Sequence, residues 1–136
     1  VEEESLHEVF WAVSRRMREQ TRREMEPWGI APSQGRALSV LLSGGPMRLS
    51  ALAERLRIAP RSATEVVDDL QDRGLVERHP DPADRRATLV ALTDHGRATG
   101  AGIKSARAAA GERVFASLDP SDRAALARIL RKLTTA

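Results

Sequence analysis

The chain has no cysteine and no tyrosine, and its aromatic residues are two Trp and two Phe among 136 positions. Without cysteine it can form no disulfide, sense no oxidant through a thiol and build no thiolate metal site. With so few rings, Leu, Val, Ile and Ala must fill the core. No apolar run approaches the roughly 18 residues of a membrane-spanning helix. The acidic start Val1-Glu2-Glu3-Glu4 lacks the basic residues of a secretory leader, so a cytoplasmic chain without a membrane partner is expected. A glycine-rich phosphate loop and a nucleophile–base motif are both missing. The three histidines, His7, His79 and His95, lie on different elements without metal-ligand spacing. These absences point away from an enzyme, a cofactor and a metal.

Charge is present but nearly balanced, at net +3. Its distribution is uneven: residues 1–26 carry −2, residues 27–46 carry +1, residues 47–92 are neutral and residues 93–136 carry +4. A nucleic-acid reading must therefore rest on where individual arginines sit.

Those arginines fall in a recognisable frame. The run Leu49–Thr93 reads as helix, turn, helix and then a two-stranded hairpin with a basic tip. Ser50 is placed to cap a short helix containing Leu52, Ala53 and Leu56. Pro60 suits the first position of the next helix, where its missing N–H costs nothing. That helix carries Ala63, Val66, Val67 and Leu70 at helical spacing, and Gly74 stands where a left-handed C-terminal residue is wanted. Strands are predicted over Leu75–His79 and Ala87–Leu92, joined by a turn-rich tip from Pro80 to Arg86. A helix–turn–helix presents a helix that fits the DNA major groove, and a hairpin beside it reaches the flanking groove or backbone.

The flanks are amphipathic. Leu6, Val9, Phe10, Val13 and Met17 make one apolar stripe on a helix from about Ser5 to Met25, ended by Pro27 and Gly29. Pro32 opens a second helix with Ala37, Leu38, Leu41 and Leu42 facing inward, stopped by Gly44-Gly45-Pro46. Thr93 can cap a long helix to about Ser117, with Thr99, Ile103, Ala106, Ala110 and Val114 on its apolar side. Asp119-Pro120-Ser121-Asp122 looks like a capping-box start, and Leu126, Ile129, Leu130 and Leu133 form the last stripe. In so short a chain the terminal helices find few internal partners, so a homodimer is expected.

The order and spacing of Leu52-Ala53-Glu54-Arg55-Leu56, Thr64, Asp72-Arg73-Gly74-Leu75-Val76-Glu77-Arg78, Asp84-Arg85-Arg86 and Leu92-Thr93 resemble the MarR family of multiple-antibiotic-resistance-type regulators. The resemblance spans essentially the whole chain. It implies a mainly α fold with a small β-hairpin wing: one domain over 1–136. Within it, 33–92 would be the winged helix–turn–helix lobe, and 1–28 and 93–136 the dimerisation helices. It further implies a homodimer on pseudo-palindromic double-stranded promoter DNA, in many members a repressor released by a small phenolic or anionic ligand. The chain departs from the family where Glu65 follows Thr64, a place often held by a basic residue. Ala31 and Ala59 stand where capping Ser or Thr is common.

Arg61, Ser62, Thr64 and Glu65 lie in the first turns of the second helix of the motif, where side chains reach base edges. Arg61 can fork onto guanine O6 and N7, and Glu65 can accept from cytosine N4. Arg85 and Arg86 at the tip suit a narrow minor groove, one inserting while the other pairs with Asp84 or a nearby carboxylate. Arg48, Arg55, Arg57 and Arg78 are further phosphate candidates. By the resemblance, a ligand pocket lies where the first, second and long helices meet the DNA lobe. His7, Phe10, Trp11, Arg15, Trp28 and Arg36 have suitable chemistry, with aromatic walls and a cation. Two alternatives stay open: a regulator without a small-molecule ligand, and a winged-helix interaction module that has given up DNA. The four acidic residues between Pro60 and Arg73, against two basic ones, lean slightly toward the second, and Arg61, Thr64 and the Arg85-Arg86 tip argue against it.

Overall fold

A computed structural model describes residues 5–135. In chain order the elements are α1 (Leu6–Met25), a single 3-10 turn (Glu26–Trp28), α2 (Pro32–Gly44), β1 (Met47–Arg48), α3 (Leu49–Leu56), α4 (Pro60–Asp72), β2 (Val76–Asp81), β3 (Asp84–Leu92), α5 (Asp94–Phe115) and α6 (Pro120–Thr134). The fold is mainly helical, with a small antiparallel sheet forming the wing.

The chain forms two compact units. One is continuous, Met25–Ser105; the other combines residues 5–24 with 106–135. The core of the first is a single cluster: Ala37, Leu38 and Leu41 of α2, Leu52 and Leu56 of α3, Val67 and Leu70 of α4, then Leu75, Val76, Val90, Leu92 and Ile103. Leu38, Leu52, Leu70 and Leu75 are fully buried or nearly so, and burying each is worth about 1.5–3 kcal/mol. The aromatic shortage is met as expected, because aliphatic side chains supply this core. Trp28 packs close to Gly102, where an added β-carbon would come within 2.7 Å of the indole.

The second unit holds most of α1, the later half of α5 and α6. Arg113 Nε pairs with Glu24 Oε1 at 2.6 Å, and Arg123 Nη2 with Glu112 Oε2 at 2.6 Å, so ion pairs link α5 to both neighbours. Ala106, Ala110 and Val114 are buried, as the spacing predicted. Asp119 caps α6 by accepting from the Asp122 N–H at 2.8 Å. The stripes of α1 and α6 behave differently. Leu6, Val9, Phe10, Trp11, Val13, Ile129 and Leu133 are all exposed.

The structure corrects the local reading in three places. Ser50 is not a cap: it sits inside α3, and the capping position is Arg48, whose backbone is extended and whose side chain makes no capping bond. The reason is β1, a two-residue strand absent from the sequence reading. Met47 and Arg48 pair with Val90 and Leu89, so the sheet has three strands in the order β1-β3-β2, and α3 starts where the pairing stops. The wing strands also run further than predicted, to Asp81 and from Asp84, leaving only Pro82 and Ala83 as the turn.

Candidate nucleic-acid interface

α3 and α4 are joined by Arg57, Ile58 and Ala59. Arg57 adopts the left-handed conformation, φ 56°, and is the one described non-glycine residue with positive φ. Its N–H donates to the Glu54 carbonyl at 3.1 Å, and the Ile58 N–H donates to the Ala53 carbonyl at 3.1 Å, closing the end of α3. Ala59 then enters α4 without a side-chain cap, and Pro60 takes the first helical position. The first-turn N–H groups of α4 are therefore not taken up by a capping side chain, an arrangement that suits an anion.

α4 buries Ala63, Val67 and Leu70 and exposes Arg61, Ser62 and Glu65 from its first turns. The Thr64 hydroxyl donates to the Pro60 carbonyl at 3.0 Å, which fixes its rotamer while leaving the oxygen able to accept. Further along, Asp68 is held by Arg78 of β2, with Nη2 to Oδ1 at 2.6 Å, and Arg78 also donates to Gln71. That pair offsets part of the acidity the sequence places on this helix.

The hairpin is irregular at the point where its basic residues sit. Pro80 pairs with Thr88, but the next pair is Asp81 with Asp84. Arg85, Arg86 and Ala87 are left without a partner on β2, so the two arginines project from a bulged stretch. Two carboxylates stabilise the tip from within. Asp81 Oδ1 accepts from the Ala83 N–H at 2.9 Å, and Asp84 Oδ1 accepts from the Arg86 N–H at 3.0 Å. Asp84 thus serves the backbone of Arg86 and not an arginine side chain, contrary to the pairing expected. Asp81 also accepts from Arg48 through Nε and Nη2, both at 2.9 Å. The Ala83 N–H first, and the Arg48 guanidinium after it, hold the Asp81 carboxyl below the usual aspartate range.

The arginines thereby divide into two groups. Arg48, Arg73 and Arg78 are used internally; Arg73 donates to the Trp28 and Gly29 carbonyls at 2.9 Å each. Arg55, Arg57, Arg61, Arg85 and Arg86 are exposed and form no ion pair among the described residues. Sequence spacing could not make this separation, because it depends on contacts between residues as far apart as Arg73 and Gly29. It also passed over Asp81, whose only local signal is its place between two prolines ahead of a tight turn.

The ligand candidates fall on both units. His7, Phe10, Trp11 and Arg15 lie exposed on α1 in one unit, where Phe10 and Trp11 meet edge to face with centroids 5.6 Å apart. Trp28 and Arg36 belong to the other unit. There Trp28 walls a cavity of about 250 Å³ together with Pro27, Ile30, Arg73, His95 and Thr99. No group of three or more His, Asp or Glu side chains among the described residues could hold a metal.

Residues 28–87 match the MarR family. The chain is 30% identical over 132 residues to the HTH-type transcriptional repressor MdtR of Bacillus subtilis, covering 97% of this chain and 83% of that protein. The chain belongs to the MarR family. Among solved structures, Rv1404 of Mycobacterium tuberculosis superimposes with a TM-score of 0.86 at 29% identity, over 100% of this chain and 97% of the other. BpsR of Bordetella bronchiseptica, whose DNA binding is regulated by 6-hydroxynicotinic acid, matches with a TM-score of 0.74 at 26% identity, over 98% and 95%. This MarR-family chain is a DNA-binding transcriptional regulator and not an enzyme. None of its described helices is long and apolar enough to cross a membrane.

Proposed function

We propose that the protein is a homodimeric repressor that occupies a pseudo-palindromic promoter site and leaves it when a small molecule binds. The observation that carries this reading is the set of exposed cations on the motif that form no ion pair among the described residues. Arg61 is exposed at an uncapped helix start, and Arg85 and Arg86 project from the bulged wing. In this arrangement Arg61 reads guanine, Glu65 accepts from cytosine, and Thr64 offers its methyl to thymine. Ser62 and Arg57 meet phosphate, while Arg85 and Arg86 enter the minor groove. Arg48, another cation of the expected set, faces the wing.

Two further observations support the finer parts. Exposed Leu6, Val9, Phe10, Val13, Ile129 and Leu133 form the kind of apolar surface that a second copy covers. The relative BpsR responds to an aromatic acid. His7, Phe10, Trp11 and Arg15 on one unit, and Trp28 and Arg36 on the other, each supply rings and a cation suited to that ligand class.

The test is binding of the purified protein to its own upstream promoter duplex and to a scrambled duplex, across a salt series. The expected result is a preference of about 10³-fold or more, with two-fold symmetric protection. Equal weak binding to both, and to every fragment in a genome-wide selection, overturns the reading.

A further inference from the structure

Arg48 ties three parts of the motif together. Its backbone pairs with Leu89 of β3, its own position opens α3, and its guanidinium grips Asp81 at the end of β2. Asp81 is the last residue before the turn and lies directly beside the register slip that displays Arg85 and Arg86. Its side chain is only 12% exposed, while that of Arg48 is 47% exposed. The carboxylate therefore has little freedom to choose another partner, whereas the arginine reaches it across 33 residues of sequence. Beyond the Pro80–Thr88 pair, the tip has few other restraints. The described ones are the Asp81–Asp84 pair and the two bonds to the Ala83 and Arg86 N–H groups. All of these lie within the hairpin itself. The Arg48–Asp81 contact is the described side-chain bond that fixes the tip to the helix–turn–helix.

We propose that Arg48 and Asp81 form a clasp that positions the wing, so that Asp81 is a wing-positioning residue and Arg48 acts through it rather than by meeting a phosphate. The proposal rests on the DNA-binding reading above. Its physical content is preorganisation. A wing tip free to swing must be ordered when DNA binds, and that entropy is subtracted from the affinity. A tip already held at the start of α3 presents Arg85 and Arg86 at a set distance from Arg61. Clasp and phosphate contact differ in one respect that can be measured. Removing a phosphate contact lowers the salt dependence of binding, while loosening a positioning contact weakens binding at every salt concentration alike.

The test uses the full chain and a duplex selected from a random pool for tight binding. The variants are Asp81→Asn, Arg48→Ala and the double substitution. Asp81→Asn keeps an acceptor for the Ala83 N–H. Each single variant is expected to lose roughly five- to tenfold in affinity with an unchanged salt slope. The double variant should lose no more than either single one, because both remove the same interaction. In the free protein, amide exchange at 81–87 should accelerate in both single variants while exchange in α4 stays as it was. The proposal is overturned if Arg48→Ala lowers the salt slope by about one and Asp81→Asn binds like the parent. Unchanged exchange at the tip in both variants overturns it as well. If instead the parent protein selects no duplex at all, the DNA-binding reading fails, and the exchange measurement still decides whether the clasp holds the tip.

Discussion

The carbonyl oxygen of Leu75 occupies the space that a β-carbon on Gly96 would need. The chain leaves α4 through Gly74 and Leu75, runs out and back through the wing, and returns to start α5 against the same two residues. The Thr93 N–H donates to the Leu75 carbonyl at 3.1 Å. Gly96 is thus required for close approach, not for an unusual backbone angle. Gly96→Ala should destabilise the protein by about 3 kcal/mol, since the obstacle is backbone and cannot swing aside. Gly111→Ala, in the same helix with nothing within 4 Å of the new β-carbon, should leave stability unchanged or raise it by up to about 1 kcal/mol. Urea unfolding of the two variants gives the comparison, and equal midpoints would contradict it.

Thr93 makes the same junction polar. Its hydroxyl donates to the Gly74 carbonyl at 2.6 Å and accepts from the Gly96 N–H at 2.9 Å. One side chain caps α5 and closes the base of the wing. Thr93→Val keeps the shape and loses both bonds, so a loss of about 1–2 kcal/mol is expected. Thr93→Ser keeps both and should lie close to the parent in thermal unfolding. If Val and Ser behave alike, the hydroxyl is not what matters there.

These contacts mark where the sequence was legible. The stripe Thr99, Ile103, Ala106, Ala110 and Val114 reads directly as a buried helix face because helical periodicity is local. Gly74, with φ 74°, reads as a helix end for the same reason. β1 does not, because two residues carry no period; Met47 and Arg48 are extended only because Val90 and Leu89 lie beside them. Missing that strand misplaced the start of α3 and made Ser50 look like its cap. In the candidate site, the exposure of Arg61, Arg85 and Arg86 was legible from their place in the motif. The commitments of Arg48, Arg73 and Arg78 were not, since each partner lies on a different element.

Arg57 separates stability from function. A non-glycine residue in the left-handed region costs roughly 1 kcal/mol or more, and glycine adopts that region freely. Arg57→Gly should therefore raise folding stability by about 0.5–1 kcal/mol. If the side chain meets a phosphate, the same variant should bind DNA more weakly, with the salt slope reduced by about one per contact. Chemical denaturation and salt-dependent binding on one preparation test both signs. Unchanged DNA binding in the more stable variant would remove Arg57 from the interface.

The wing arginines should affect binding alone. Arg85 and Arg86 are exposed and form no ion pair among the described residues, so replacing them with Ala should leave thermal stability within about 0.5 kcal/mol of the parent. DNA binding should weaken, and the salt slope should fall by roughly one to two units for each wing. A slope equal to the parent's would exclude the wing from the charged contact.

The exposed stripes of α1 and α6 make the last prediction. Ile129 is 48% and Leu133 69% exposed, at a four-residue spacing that places both on one side of α6. Surface leucine and isoleucine are ordinary one at a time; here they recur with Val9, Phe10 and Val13 of α1 in the same unit. If a second copy covers them, Ile129→Glu with Leu133→Glu places two carboxylates per chain in the interface and should shift the protein to monomers in sedimentation velocity. The folded Met25–Ser105 unit should keep its helical signal, because none of its core residues lies on α6. DNA affinity should fall steeply as well, since a half-site held by one motif loses the gain from tethering two. A variant that still sediments as a dimer would place the subunit contact elsewhere, and one that binds the promoter as tightly while monomeric would show that the two motifs act independently.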